Sequence, residues 1–105
     1  MTSDRIEALR QMLISDIGNT FARYGLAMEL FKSGDTEAAV REFEVLREQN
    51  PDYSAAYYHG GRALQALGRI AEARELMEQG IVVTTRTGDH HTRSELQAAI
   101  DLLDI

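Results

Sequence analysis

The chain has 105 residues, of which 44% are hydrophobic and 27% charged, and a formal net charge of −6. That length has room for one core, and the acidic balance argues against nucleic acid and anionic membrane surfaces as partners. Without cysteine there is neither a disulfide nor a thiolate metal site. With no basic-then-apolar leader and no membrane-length apolar run, a cytoplasmic location is expected.

Helix signals dominate from end to end. A first helix is expected over 3–18, capped by Thr2 or Ser3, with Ile6, Leu9, Met12 and Leu13 along one stripe. Gly18 should end it, and Asn19 can cap the next, from about Thr20 to Ser33, which stops at Gly34-Asp35. Asp35 or Thr36 then caps a third helix, about Glu37 to Gln49, broken by Asn50-Pro51-Asp52. The fourth runs from about Ser54 to Leu67, and Gly68 turns it into a fifth, about Arg69 to Arg86, closed by Gly88-Asp89. A last helix covers 92–104, with Leu96, Ala99, Ile100 and Leu103 at helical spacing. Six helices joined by short turns, with no strand pattern, make the fold all-α.

Residues 20–53 and 54–87 align without a gap, a period of 34. Ala22/Ala56, Tyr24/Tyr58, Leu30/Leu64, Gly34/Gly68, Ala39/Ala73 and Glu44/Glu78 agree. Self-similarity at this period marks stacked supersecondary units, none of which buries its apolar face alone. Small residues (Ala27, Gly61, Ala39, Ala73) stand where paired helices approach closely, and large ones (Leu30, Phe43, Leu64, Met77) fill the gaps between them.

On these residues the chain resembles the tetratricopeptide repeat family, whose helix pair reads W-x2-L-G-x2-Y, A-x3-F and then P. The first repeat, 20–53, offers Arg23-x2-Leu26-Ala27-x2-Leu30, Ala39-x3-Phe43 and Pro51. The second, 54–87, offers Tyr57-x2-Gly60-Gly61-x2-Leu64 and Ala73-x3-Met77, with Thr85 in the place of proline, so the fifth helix should run on. Gly60 stands where the family has leucine; the expected reason is a large side chain, Phe43 or Leu46, packed on the backbone there. The stripe of the first helix resembles the second helix of a preceding repeat, and the final helix resembles the family's solvating cap. The resemblance implies a short α-solenoid, a stand-alone member covering 1–105, with the first helix packed behind the groove rather than plugging it.

The resemblance also implies where a ligand sits, along the concave face made by the first helix of each pair. Helical spacing places Tyr24, Met28, Phe31 and Lys32 there in the first repeat, with Phe21, and Tyr58, Arg62 and Gln65 in the second. Phe21 and Phe31 are equally well read as core. The version of the family that clamps chaperone C-terminal tails needs lysine and asparagine where Tyr24 and Met28 stand, and asparagine at His59, so a chaperone tail is not the expected ligand.

No catalytic constellation is present: there is no phosphate loop, serine elbow or recognisable carboxylate pair. His90-His91 beside Asp89 reads as a solvated turn, with no third ligand spaced for a metal, and His59 is alone on its helix. The expectation is a non-enzymatic protein–protein interaction module without cofactor or metal. Self-association into a homo-oligomer is the alternative.

Overall fold

The structure, a computed structural model, describes residues 4–104. Its helices are α1 (Asp4–Ser15), α2 (Thr20–Lys32), α3 (Thr36–Gln49), α4 (Ser54–Ala66), α5 (Ile70–Thr87) and α6 (His90–Leu103). One device turns the chain three times. Gly34, Gly68 and Gly88 adopt φ of 94°, 78° and 78°, which a side chain would oppose. The next amide then donates back over the helix end: Asp35 to the Leu30 carbonyl at 2.9 Å, Arg69 to Leu64 at 3.0 Å and Asp89 to Thr84 at 3.0 Å. Side chains open the following helices. Asn19 accepts from the Ala22 amide, Asp35 from Ala38 and Asp89 from Thr92.

Several expected boundaries move. α1 ends at Ser15 rather than Gly18, which keeps an ordinary negative φ, and the Asn19 amide closes the turn on the Asp16 carbonyl at 3.1 Å. The expected Thr2 or Ser3 cap lies outside the described residues. Met12, placed on the buried stripe by spacing, is 40% exposed, because α2 alone packs on α1 and covers only Ile6, Leu9 and Leu13. α6 starts at His90, two residues before Thr92, since Asp89 takes the cap. α5 does run through Thr85 to Thr87.

Each helix packs on the next in sequence. In addition α2 touches α4 and α4 touches α6, whereas among the described residues α1, α3 and α5 do not touch one another. The row whose members touch lies on the inside of the curvature, so α2, α4 and α6 form the concave face. One core cluster joins Ile6, Leu9 and Leu13 to Leu26, Leu30, Phe43 and Leu46, and reaches Ala56 and Ala63 of α4. A second joins Tyr57 and Leu64 to Leu76, Met77, Leu96 and Ile100; Val40 packs on both.

The paired glycines of α4 are contact points. The atoms nearest to a Cβ built on Gly60 belong to Arg47, Leu76 and Phe43, rather than to Leu46. Gly61 takes Met77, whose Cγ lies 2.7 Å from where a Cβ would stand. Gly80 of α5 is crowded from two sides, with Leu96 and Tyr57 both at 2.8 Å. None of the described helices is long and apolar enough to cross a membrane.

Candidate functional site in the concave face

The concave row is anchored from behind. Arg23, buried on α2, donates through Nη1 to Glu42 Oε1 at 2.6 Å and through Nη2 to the Ile17 carbonyl at 3.2 Å, tying α2 to α3 and to the preceding turn. Tyr57 of α4 donates from Oη to the Pro51 carbonyl at 2.7 Å, fixing the turn between repeats. With the rear faces committed in this way, Tyr24 and Tyr58, one residue further along each helix, are left half-buried on the groove side.

These two tyrosines belong to one cluster. The ring of Tyr24 lies 5.5 Å from Tyr53 and 5.9 Å from His59. Tyr58 meets the His59 imidazole edge-on at 4.9 Å, and Phe43 stacks beneath it at 6.4 Å. Arg62 donates from Nη1 to the Tyr58 hydroxyl at 3.0 Å, with its guanidinium 5.8 Å from the ring centroid. Burial pushes the His59 pKa down, opposed by Glu95 and assisted by Arg62, so the imidazole is neutral at pH 7. Burial also pushes the Tyr24 phenol up, with Tyr53 and Glu95 adding to the effect. The cluster therefore presents neutral aromatic surface with hydroxyl groups and one exposed guanidinium.

The remaining expected groove residues divide. Met28 and Lys32 join Phe21 and Tyr24 along α2, where with Gly25, Glu29 and Arg5 of α1 they line a depression of about 400 Å³. Phe21, for which core was an equal reading, is 70% exposed. Phe31 is half-buried and packs on the first core cluster, so part of its surface is core, and Gln65 is half-buried on α4.

Three contributors escaped the sequence reading. Tyr53, in the turn between the repeats, and His59, alone on its helix by spacing, both sit in the ring cluster. Glu95 of α6 is close enough to act on both Tyr24 and His59, so α6 lines the groove as well as capping the stack. The signal is in the cap spacing. Asn19, Tyr53 and Asp89 precede α2, α4 and α6 at steps of 34 and 36, because α5, with 18 residues, is four longer than α3, with 14, while the turn after it is two shorter. That register sets Glu95 opposite His59 and Gly25. Among the described residues no three His, Cys, Asp or Glu side chains are grouped to hold a metal.

Comparison with known proteins agrees with this geometry. Residues 30–82 match the family model described as a tetratricopeptide repeat. A TPR repeat-containing protein of Pseudomonas aeruginosa, PA0015, is 35% identical over 99 residues, covering 94% of each chain. A tetratricopeptide repeat domain protein of Salinibacter ruber superposes with a TM-score of 0.77 at 37% identity, over 82% of this chain and 96% of that one. The Yersinia enterocolitica type III secretion translocator chaperone SycD superposes with a TM-score of 0.87 over 94% of this chain and 69% of its own, at 11% identity, which is a likeness of fold alone. The half-exposed tyrosines, the glycine turns and the two-row helix stack are those of a repeat solenoid, and the chain belongs to the tetratricopeptide repeat family.

Proposed function

We propose that this protein is a non-enzymatic interaction module that holds a segment of a partner protein along the α2–α4–α6 face, as a small adaptor or assembly factor. One observation carries the reading. Tyr24, Met28, Tyr58 and Arg62 are kept half-exposed or exposed on the concave side by helices whose rear faces are fully packed. Aromatic, methionine and arginine side chains on a rigid support combine large contact area, adaptability and directional hydrogen bonding. The family supports binding of protein segments in general, and a fold shared with a translocator chaperone fits a holding role.

The test is affinity capture from native lysate beside a Tyr24→Ala/Met28→Ala/Arg62→Ala variant that retains its helical signal and melting behaviour. A partner held by the parent and lost from the variant supports the groove. Equal retention by both removes it.

A second reading, self-association, draws on Met12 and Ile14 of α1, Ile17 of the turn after it and Phe21 at the start of α2, all of them exposed. Sedimentation across a concentration series separates the two, since only self-association makes the mass concentration-dependent.

A further inference from the structure

We propose that the ring cluster and Glu95 together form a cation-binding cage, which takes a lysine or arginine side chain projecting from the partner segment held in the groove. The proposal rests on the reading of α2, α4 and α6 as a protein-binding face and adds a position and a ligand chemistry to it.

The walls are aromatic. Tyr24 of α2, Tyr53 of the turn between repeats, and Tyr58 and His59 of α4 are all half-buried, so each keeps part of its ring within reach of solvent. The rings are tilted rather than stacked, by 56° between Tyr24 and Tyr53, 59° between Tyr24 and His59 and 80° between Tyr58 and His59, with centroids 4.9 to 5.9 Å apart. Tilted rings offer π faces at several angles to one incoming group, and a π face attracts a cation. The cluster already holds one. Arg62 stands 5.8 Å from the centre of the Tyr58 ring while donating to its hydroxyl at 3.0 Å.

The counter-charge comes from α6. In the register set by the Tyr53 and Asp89 caps, Glu95 stands where His59 stands on α4, and α6 packs on α4. Its side chain is 43% exposed, and among the described residues its ion-pair partner is His91 of its own helix, at 3.7 Å. The Glu95 charge reaches both Tyr24 and His59, whereas Arg62 acts on His59 from the Tyr58 side. Beside Tyr24 and Tyr53, therefore, an ammonium or guanidinium group finds ring faces and a carboxylate together. Other side chains fit worse. An aliphatic one would strip water from Glu95 without offering it a partner, and an acidic one would be repelled by it. Lysine and arginine also carry an apolar stem that can lie along the rings. The net charge of −6 steers a basic segment towards the molecule from a distance.

The probes are two labelled synthetic peptides of the length of α4, 13 residues, one with lysines spaced among alanines and leucines, the other with glutamines in their place. Glu95→Gln removes the charge at an exposed position and keeps the shape, and Tyr24→Leu removes the ring and keeps apolar bulk. Glu37→Gln, exposed at the start of α3, removes the same charge away from the cage. The expected result is saturable binding of the lysine peptide, weakened about tenfold by Glu95→Gln and by Tyr24→Leu and unchanged by Glu37→Gln. The glutamine twin should bind the parent more weakly and not distinguish it from Glu95→Gln. Should Tyr24→Leu lose its fold, the comparison of Glu95→Gln with Glu37→Gln decides. Failure of the lysine peptide to bind, or indifference to Glu95→Gln, overturns the proposal. Equal weakening by Glu95→Gln and Glu37→Gln also overturns it, since net charge alone then accounts for the binding. In any of these cases a lysate partner that is still lost from the Tyr24→Ala/Met28→Ala/Arg62→Ala variant leaves the broader groove reading standing. A parent dimer that dissociates on Glu95→Gln puts a cation of a second copy in the cage and equally overturns the proposal.

Discussion

The imidazole of His59 lies nearly parallel to the ring of Phe43, with centroids 6.4 Å apart and an interplanar angle of 18°. Tyr24 and Tyr58 close two further sides, and the charged groups acting on it are Glu95 of α6 and Arg62 of its own helix. Burial holds its folded-state pKa below the ordinary 6.5. The unfolded chain therefore binds the proton first, and the stability this histidine contributes is complete above about pH 6.5 and is lost as pH falls through the lower, folded value. Denaturant unfolding of the parent and of His59→Gln at pH 7.5 and at pH 5.5 checks this. The parent should lose more stability over that interval than the variant; equal losses would show that His59 does not titrate differently in the two states.

Three helical glycines should answer differently to alanine. Alanine relieves a helix of about 1 kcal/mol of glycine cost, so the outcome turns on the space available. At Gly60 the nearest atoms lie at 3.1 to 3.4 Å and two of the three belong to side-chain tips, so substitution should be close to neutral. At Gly61 the Met77 Cγ at 2.7 Å must move, and at Gly80 the obstacle includes the Cβ of Tyr57 at 2.8 Å, which cannot swing away. Gly61→Ala and Gly80→Ala should each cost about 1–3 kcal/mol, with Gly80 the worse. Chemical denaturation of the three variants ranks them, and a Gly60→Ala loss as large as that of Gly80→Ala would contradict the packing described.

The helix stack was legible because its causes are local and repeated. Gly34, Gly68 and Gly88 break helices through backbone geometry, and Ala39, Ala73, Phe43 and Met77 recur at a fixed step, so element type and order follow from spacing alone. What spacing could not show was which surface a neighbour covers. Met12 falls on the helical stripe of α1, yet no described helix lies over it. His59 looks isolated along its own helix because its partners come from α2, α3 and α6. Glu95 was hidden by the longer α5 and the shorter turn after it, which together shift α6 two residues out of the 34-residue register. Such relations depend on curvature and on contacts between helices distant in sequence, and neither has a period to read.

Arg23 and Glu42 should respond asymmetrically to substitution. Arg23 is buried, its Nε has no hydrogen-bond partner, and its charge is met by Glu42 from α3 and by the Ile17 carbonyl. Glu42→Ala strands a guanidinium out of water and should cost about 1–3 kcal/mol. Arg23→Met removes the buried charge and keeps much of the apolar stem, leaving Glu42, with 26% of its side chain exposed, free to turn to solvent. It should cost less than Glu42→Ala. Thermal unfolding of both variants decides, and a larger loss for Arg23→Met would mean that the ion pair itself, rather than relief of a stranded charge, dominates.

The two outer helices should resist continuation of the stack. Internal helix pairs meet through Ala27, Gly61, Ala39 and Ala73, all buried. One period back from Ala39, α1 carries Arg5, and in the 36-residue register α6 carries exposed Gln97 opposite Gly61. Side chains of this length hold an incoming helix off the backbone, and stripping water from their polar ends is unfavourable. The parent should therefore show no end-to-end assembly, while Arg5→Ala/Gln97→Ala, which restores small residues at both close-approach positions, should acquire concentration-dependent mass. Sedimentation velocity over a wide concentration range reads the difference. Head-to-tail oligomers of the parent that persist in the double variant would show that the outer faces pair through other residues, whereas a double variant that stays monomeric would show that small residues alone do not open the ends.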